Sequence, residues 1–298
     1  MPNESINESV KAETYLETIV FQPDGTELIL TELPEKVLVL SSATLELLSS
    51  LDIEIAATGS LMTRPDLAEM FSNAVDVGMA TSPDMEIVAS VAPDIIIVGS
   101  TFISMQERFE AQGYNAWFVK NQSYEDILTL MEDFGRVFQK QDEASSIIHS
   151  FEERRLATID KTLPFTEGKT AMIITGAGDN IMFGRENSFP GSLIEMLGVE
   201  NITSKLNLGD LESSYVPFSF EQAIELNPDI IFRIAHGDIQ QTSQMFDEYF
   251  DQNPAYVAMR AVIEGNVYDL DYNLFFSNPG LKVVDSIEAM SELLMNIN

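Results

Sequence analysis

Two segments of this sequence, residues 84–97 and 219–232, follow one pattern. Each has a short stretch with helical spacing of apolar residues, then Pro-Asp, then an apolar run typical of a buried strand. A helix that leads into a buried strand is the repeating unit of parallel α/β sheets. Its presence once in each half of a 298-residue chain predicts two similar α/β lobes, an architecture that traps ligands in the cleft between the lobes.

The remaining apolar patterns extend this prediction along the chain. We expect a hairpin at residues 19–30, around the turn Pro23-Asp24-Gly25, and further strands at residues 36–40, 53–58, 116–119, 170–175 and 267–270. Further helices are expected at residues 43–48, 106–112, 124–138, 142–163, 191–197, 245–251 and 280–296.

The helix at residues 142–163 would span roughly 30 Å, about one domain diameter. We expect this helix to connect two Rossmann-like lobes, with the ligand cleft between them. The predicted organisation begins with an N-terminal tail and hairpin at residues 1–35 and an N-terminal α/β lobe at residues 36–140. The connecting helix at residues 141–163 and a C-terminal α/β lobe at residues 164–298 follow.

Composition excludes several classes of function. The formal net charge of −32 argues against nucleic acid and against binding to anionic membranes by charge alone. It leaves open whether the charge serves solubility or docking to a basic partner. The absence of cysteine excludes disulfides, thiolate metal sites and cysteine nucleophiles. No apolar run approaches the roughly 18 residues of a membrane span, and the polar N-terminus lacks a signal-peptide apolar region.

His236 is the main candidate for cofactor or metal chemistry, because the chain has only two histidines. It directly follows the strand predicted at residues 229–234 and precedes a glycine, so it is expected at the sheet edge where α/β folds bind ligands. His149 lies on the long helix and is expected to be structural or exposed. With one candidate histidine, a catalytic triad or a di-histidine metal site is unsupported. Residues 176–180 lack the following helix that a dinucleotide-binding motif requires.

The twin segments and the long connecting helix resemble the class III substrate-binding proteins of ABC importers, over residues 36–298. Members of that family carry cobalamin, siderophores and haem. Residues 77–84, 231–237 and 268–271 resemble segments of the haem-receptor lipoproteins of the Gram-positive iron-regulated surface determinant system. The resemblance implies that haem iron is held by a methionine from the N-terminal lobe and a histidine from the C-terminal lobe. Here these would be Met79, with Met62 as the runner-up, and His236.

A haem pocket also needs apolar walls and donors for the propionates. Apolar candidates in segments predicted to be loops at the cleft are Met182, Phe183, Phe189, Tyr215, Phe275 and Phe276, although core packing is the alternative for each. We expect Arg64 to donate hydrogen bonds to the propionates, together with Ser41 and Ser42, which lie at a helix N-terminus. Arg233 is a further candidate, and an internal ion pair is the alternative for it.

The resemblance implies a haem-binding protein, not an enzyme, that delivers haem as transported ligand to an ABC permease. It would act as a monomer on the extracellular face of the membrane, lipid-anchored in its full-length form, with upstream haem-donor surface proteins as further partners. Glu86 and Glu221, at equivalent places in the twin segments, would meet arginines of the permease; ordinary solvated glutamates are the alternative. Alternative functions are a siderophore or cobalamin receptor of the same family, or an enzyme on a two-lobed α/β scaffold.

Overall fold

A computed structural model describes residues 17–62, 64–177, 180–206, 213–235, 239–276 and 280–297. The chain divides into two compact units. The first comprises Met1–Leu40, Glu54–Val119 and Arg136–Lys140. The second comprises Ser41–Ile53, Lys120–Gly135 and Gln141–Asn298.

Short strands alternate with helices along the described residues, as the sequence predicted. The strands are β1 (Thr18–Phe21), β2 (Glu27–Leu30), β3 (Val37–Val39), β4 (Ile55–Thr58), β5 (Val75–Asp76), β6 (Ile95–Gly99), β7 (Ala116–Val119), β8 (Thr170–Ala177), β9 (Asn180–Gly184), β10 (Glu200–Asn201), β11 (Tyr215–Pro217), β12 (Ile230–Ile234) and β13 (Val267–Asp269). The helices are α1 (Ser42–Ser50), α2 (Pro65–Met70), α3 (Met85–Val91), α4 (Gln106–Glu110), α5 (Tyr124–Val137), α6 (Gln141–Thr166), α7 (Phe189–Met196), α8 (Phe220–Leu226), α9 (Ile239–Phe250), α10 (Pro254–Val257), α11 (Arg260–Ile263), α12 (Tyr272–Phe275) and α13 (Val283–Leu294).

The first unit contains a parallel sheet with the strand order β5-β4-β3-β6-β7. Every residue of β3 and β6 is buried, which explains why these strands are continuous apolar runs rather than alternating ones. Buried side chains from β3, β6 and β7 form a core with Val88 of α3 and Phe109 of α4. The carboxyl ends of all five strands lie at one edge of this sheet.

The second unit contains a mixed sheet with the strand order β11-β9-β8-β12-β13, and β10 pairs with β8. Strands β8, β12 and β13 are parallel, as expected for an α/β fold. Strand β9 runs antiparallel to both β8 and β11. The residues of β9 and β11 were predicted to be loops, so this part of the prediction was wrong.

The twin segments fold in the same way. Helices α3 and α8 both end at a residue in the left-handed conformation, Ala92 at φ 50° and Asn227 at φ 40°. The Pro-Asp that follows then leads into β6 in the first unit and β12 in the second. The sequence pattern therefore corresponds to a repeated structural unit.

The aspartate of each Pro-Asp pair joins its own strand to the neighbouring one. Asp94 accepts hydrogen bonds from the backbone N–H groups of Glu35 and Lys36, at 2.9 and 2.8 Å, just before β3. Asp229 accepts hydrogen bonds from the backbone N–H and the hydroxyl of Thr170, both at 2.9 Å, at the start of β8. The repeated aspartate thus satisfies strand-end donors that lack a partner within the sheet.

The N-terminal hairpin, β1 and β2, covers the edge strand β7 through one side chain. Gln22 donates from Nε2 to the carbonyl of Ala116 (2.8 Å) and accepts at Oε1 from the N–H of Phe118 (2.9 Å). Its amide therefore takes the place of a neighbouring strand's backbone, which protects the edge of the sheet. Arg136 fixes the hairpin further by donating to the carbonyl of Ile19.

Helix α6, predicted at residues 142–163, is 26 residues long and so spans about 39 Å. Arg154 binds Glu288 and Asp285 of α13, with Nη2 at 2.8 Å and 2.6 Å from their carboxylate oxygens. Glu152 accepts a 2.7 Å hydrogen bond from the hydroxyl of Tyr124 on α5. Within the described ranges, no helix combines the length and the apolar character needed to cross a membrane.

Candidate functional site

Two loops at the carboxyl edge of the first sheet lie side by side. The N–H of Ser60, after β4, donates to the carbonyl of Gly78, after β5, at 2.7 Å. A Cβ on Gly59 would lie 3.3 Å from the Cβ of Ala80, so this glycine permits a close approach of the two loops.

Met62 and Met79, the two predicted candidates for the iron ligand, lie on these adjacent loops. Their side chains are 91% and 66% exposed. Methionine is usually buried, and Met131, Met172 and Met290 in this chain have no exposed surface. Two exposed thioethers at one sheet edge are therefore available to a ligand.

Arg64, a predicted propionate donor, follows the first of these loops. Its Nε and Nη2 donate to the two carboxylate oxygens of Asp66, at 3.0 and 2.6 Å. These hydrogen bonds outweigh the opposing effect of desolvation and, together with the guanidinium charge, lower the pKa of Asp66 to about 2. The Arg64 side chain remains 30% exposed.

The serine pair predicted at a helix N-terminus lies at the start of α1. Ser41 is the N-cap residue, but its hydroxyl makes no capping hydrogen bond, and Ser42 is exposed as the first residue of the helix. The N-terminus predicted for this helix is therefore confirmed, while its anion-binding role stays a prediction.

The carboxyl edge of the second sheet is formed by the ends of β8, β12 and β13. His236, the predicted axial ligand, lies outside the described residues, together with Gly237 and Asp238. The structure describes the chain on both sides of them: β12 ends at Ile234, and α9 begins at Ile239, six residues earlier than predicted.

Arg233 forms an internal ion pair, one of the two roles that its sequence context left open. It is 5% exposed and binds both carboxylate oxygens of Asp269 at 2.7 Å and Asp247 at 2.8 Å. Burial disfavours the charged form, but the hydrogen bonds that Arg233 donates to these aspartates outweigh it and raise the pKa of Arg233. In this conformation its guanidinium is occupied by protein carboxylates rather than directed to a ligand.

The predicted apolar pocket residues have different surroundings. Phe183 lies in the middle of β9 with no exposed surface and packs against Phe218, so in this structure it is a core residue. Phe189 and Phe275 are also buried, at the first residue of α7 and the last residue of α12. Met182, on β9, is half-buried. The expectation that these residues lie in loops was therefore wrong.

Tyr215 and Phe276 form a stack of aromatic rings with a third residue, Tyr272, which was not among the predicted site residues. The rings of Tyr272 and Phe276 are stacked with centroids 4.6 Å apart, and those of Phe276 and Tyr215 with centroids 5.6 Å apart. The sequence signal for Tyr272 was Asp271, which caps α12 and so places the tyrosine at the first position of the helix after β13.

Among the described residues, the other donor groups give no competing metal site. His149 is 75% exposed on α6 beside Glu153, as the sequence predicted. In the part of the chain that the structure describes, no three histidine, aspartate or glutamate side chains gather in a way that could hold a metal ion.

A family model described as periplasmic binding protein matches residues 37–274. The chain belongs to this family. Among curated relatives, the high-affinity heme uptake system protein IsdE of Staphylococcus aureus is 23% identical over 252 residues, which is 84% of each chain. The predicted resemblance to the class III substrate-binding proteins of ABC importers is confirmed.

Solved structures of the same two-lobed fold support this assignment. An ABC transporter substrate-binding protein from Listeria monocytogenes is 25% identical with a TM-score of 0.77, covering 88% of this chain and 98% of the other. IsdE of S. aureus complexed with heme has a TM-score of 0.72 at 21% identity, covering 87% and 98%. S. aureus SirA complexed with staphyloferrin B has a TM-score of 0.75 at 17% identity, covering 94% and 99%.

In this binding protein, Glu86 and Glu221 occupy equivalent positions in the repeated unit. Each is the second residue of its helix, α3 or α8, and each is exposed. Asp84 accepts hydrogen bonds from the N–H groups of Glu86 and Ile87, which fixes the start of α3. Ser219 caps α8 through the N–H of Gln222 in the same way.

Proposed function

We propose that this substrate-binding protein captures haem and delivers it to an ABC permease. The observation that carries the proposal is the pair of exposed thioethers, Met62 and Met79, on adjacent loops at the carboxyl edge of the first sheet. Thioether sulfur is an established haem-iron ligand and is otherwise uncommon on protein surfaces. The relation to IsdE over 84% of both chains supports the same ligand.

In this proposal the iron ligands are His236 and Met79, with Met62 as the runner-up. An imidazole and a thioether ligate iron on opposite faces, and the thioether raises the reduction potential. The propionates bind donors among Arg64, Ser41 and Ser42. The apolar ring contacts the partly exposed aromatic residues Tyr215 and Phe276.

The binding protein acts on the extracellular side of the membrane, held by a lipid anchor in its full-length form. Glu86 and Glu221 contact basic residues of the permease, and surface haem-donor proteins supply the ligand. The strongly acidic composition, with 48 acidic and 16 basic residues, suits docking to a basic partner.

A siderophore is the second candidate ligand, because SirA complexed with staphyloferrin B shares the fold. An anionic ferric siderophore requires several arginine or lysine side chains at its site. Of the two arginines predicted for the site, Arg233 is occupied by two carboxylates, so Arg64 remains as the candidate donor, which favours haem over this alternative.

A hemin titration followed by absorbance tests the proposal, with His236→Ala as the decisive variant. We expect the parent to give a Soret band shifted from that of free hemin, and His236→Ala to weaken binding and move the Soret maximum. His149→Ala is the matched control, because His149 is an exposed histidine on α6. Unchanged spectra and affinity in His236→Ala would exclude this residue as the ligand.

The sulfur ligand is identified from spectra of the reduced complex. Met79→Ala should lose the low-spin signature of the ferrous form, because alanine offers no sixth ligand. Met62→Ala and Met70→Ala are compared with it, since Met70 is a third exposed methionine, on α2. If only Met62→Ala loses the signature, Met62 is the ligand instead of Met79.

A further inference from the structure

Three aromatic rings form a continuous stack beside the carboxyl edge of the second sheet. Phe276 is in the middle, with its ring 15° from the plane of Tyr272 and 18° from that of Tyr215. Near-parallel stacking of this kind adds stabilisation beyond the buried area of the rings. All three residues are half-buried, so each keeps part of its surface in contact with solvent.

The segment that carries Tyr272 and Phe276 is fixed at several points. Asp271 accepts hydrogen bonds from the N–H groups of Asn273 and Leu274, at 2.8 and 3.1 Å, and so closes the turn of α12. The hydroxyl of Ser286, on α13, donates to the carbonyl of Leu274 at 2.8 Å. The side chain of Phe275 is buried beneath the turn.

The stack itself adds a further constraint on this segment. The hydroxyl of Tyr215, on β11, donates to the carbonyl of Phe276 at 3.3 Å, and it joins two parts of the chain that are 61 residues apart. A preorganised aromatic surface loses little conformational entropy when a ligand binds to it.

The phenols of the stack remain neutral near pH 7. Burial, and then the neighbouring Tyr272, raise the pKa of Tyr215 to about 12, and burial raises the pKa of Tyr272. The two tyrosines therefore offer aromatic surface and neutral hydroxyl groups rather than phenolate oxygens.

We propose that Tyr272 is a specificity-determining residue whose exposed surface packs on the conjugated ring of a porphyrin, supported from behind by Phe276 and Tyr215. The inference rests on the proposed haem-binding function and names a contact that does not involve the iron. It predicts that Tyr272 favours planar aromatic ligands over ferric siderophores without aromatic rings.

Titrations with hemin and with iron-free protoporphyrin IX test this inference. Tyr272→Ala should weaken the binding of both porphyrins about 5- to 10-fold, and Tyr272→Phe should bind nearly as well as the parent because it keeps the ring. Tyr272→Leu, which keeps apolar volume but no ring, should resemble Tyr272→Ala. Thermal unfolding confirms that each variant is folded.

Tyr249→Ala is the matched control. Tyr249 is 38% exposed and, like Tyr272, stacks on a phenylalanine: its ring lies 5.9 Å from that of Phe220. It lies near the end of α9 and does not belong to the stack. Its loss should leave both affinities unchanged. Equal porphyrin affinities in the parent and Tyr272→Ala would overturn the inference while leaving haem binding intact. A parent that binds neither porphyrin would overturn the proposed function and this contact together.

Discussion

The guanidinium of Arg233 needs its carboxylate partners, because a charge removed from water is costly unless it is paired. Its Asp269 partner lies on the neighbouring strand, opposite it in the register of β12 and β13. Asp247 approaches from α9, and the ring of Phe246 lies 5.4 Å from the guanidinium carbon. The ion pair therefore fastens α9 and β13 to the strand that precedes His236.

The two partners of Arg233 should differ in their contribution to stability. The Asp269 side chain is 14% exposed and binds through two oxygens, whereas Asp247 is 50% exposed and binds through one. We expect Asp269→Asn to lower the free energy of unfolding by about 3 kcal/mol and Asp247→Asn by about 1 kcal/mol or less. Urea unfolding at pH 7 measures both values. A larger loss in Asp247→Asn would contradict this assignment.

The sequence predicted only part of the candidate site. Met79 and its runner-up Met62 were predicted from the resemblance to the haem-receptor family, and the structure shows both to be exposed. The sequence could not separate Phe183, which is in the core, from Tyr215, which is half-exposed. Both are aromatic residues, but Phe183 lies on β9, between β8 and β11, and belongs to the core of the second unit, whereas Tyr215 lies on the edge strand β11. Tyr272 was missed although its stacking partner Phe276 lies only four residues later; the contact of Phe276 with Tyr215 joins distant parts of the chain and needs the tertiary structure.

At the scale of whole elements, strands with a strong local sequence pattern were predicted correctly, and strands with a weak pattern were missed. The apolar runs in β6 and β12 predict buried strands without further context, and both were found. Strand β9 is five residues with a glycine at its end, and β11 is three residues with a proline at its end. Such short segments become strands because β9 pairs with β8 and β11 pairs with β9, and no local pattern records this pairing.

The contact between the hairpin and β7 should depend on the side-chain amide of Gln22. Gln22→Ala leaves the N–H of Phe118 and the carbonyl of Ala116 without the partner that they have now. Because these groups are buried, we expect a loss of about 2 kcal/mol in the free energy of unfolding.

Hydrogen exchange at the amide of Phe118 should also become faster in Gln22→Ala, since this amide loses its acceptor. Gln112→Ala is the matched control, because that glutamine is exposed and its 3.4 Å hydrogen bond is local. An exchange rate at Phe118 equal to that of the parent would show that the hairpin holds β7 in another way.

At the scale of the whole molecule, the repeated unit gives each half of the chain the same exposed helix with a glutamate at its second position. In the second unit an arginine contacts the end of this helix. Arg260 donates to the carbonyl of Asn227 at 3.0 Å and pairs with Asp229 at 2.8 Å, just beyond the end of α8. In a protein with a net charge of −32, a basic partner is attracted to the whole surface, so fixed positions are needed to orient it.

The double variant Glu86→Ala/Glu221→Ala tests whether these positions dock the permease. Single exposed ion pairs contribute less than about 1 kcal/mol, so each single variant should have a small effect. The double variant should bind hemin like the parent but impair haem uptake by cells, because it removes both orienting charges. Glu69→Ala/Glu248→Ala is the matched control: it removes the same net charge from exposed residues of α2 and α9 and should transport normally. Normal uptake in the first double variant would remove Glu86 and Glu221 from the transport mechanism, whereas loss of hemin binding would place them in the ligand site instead.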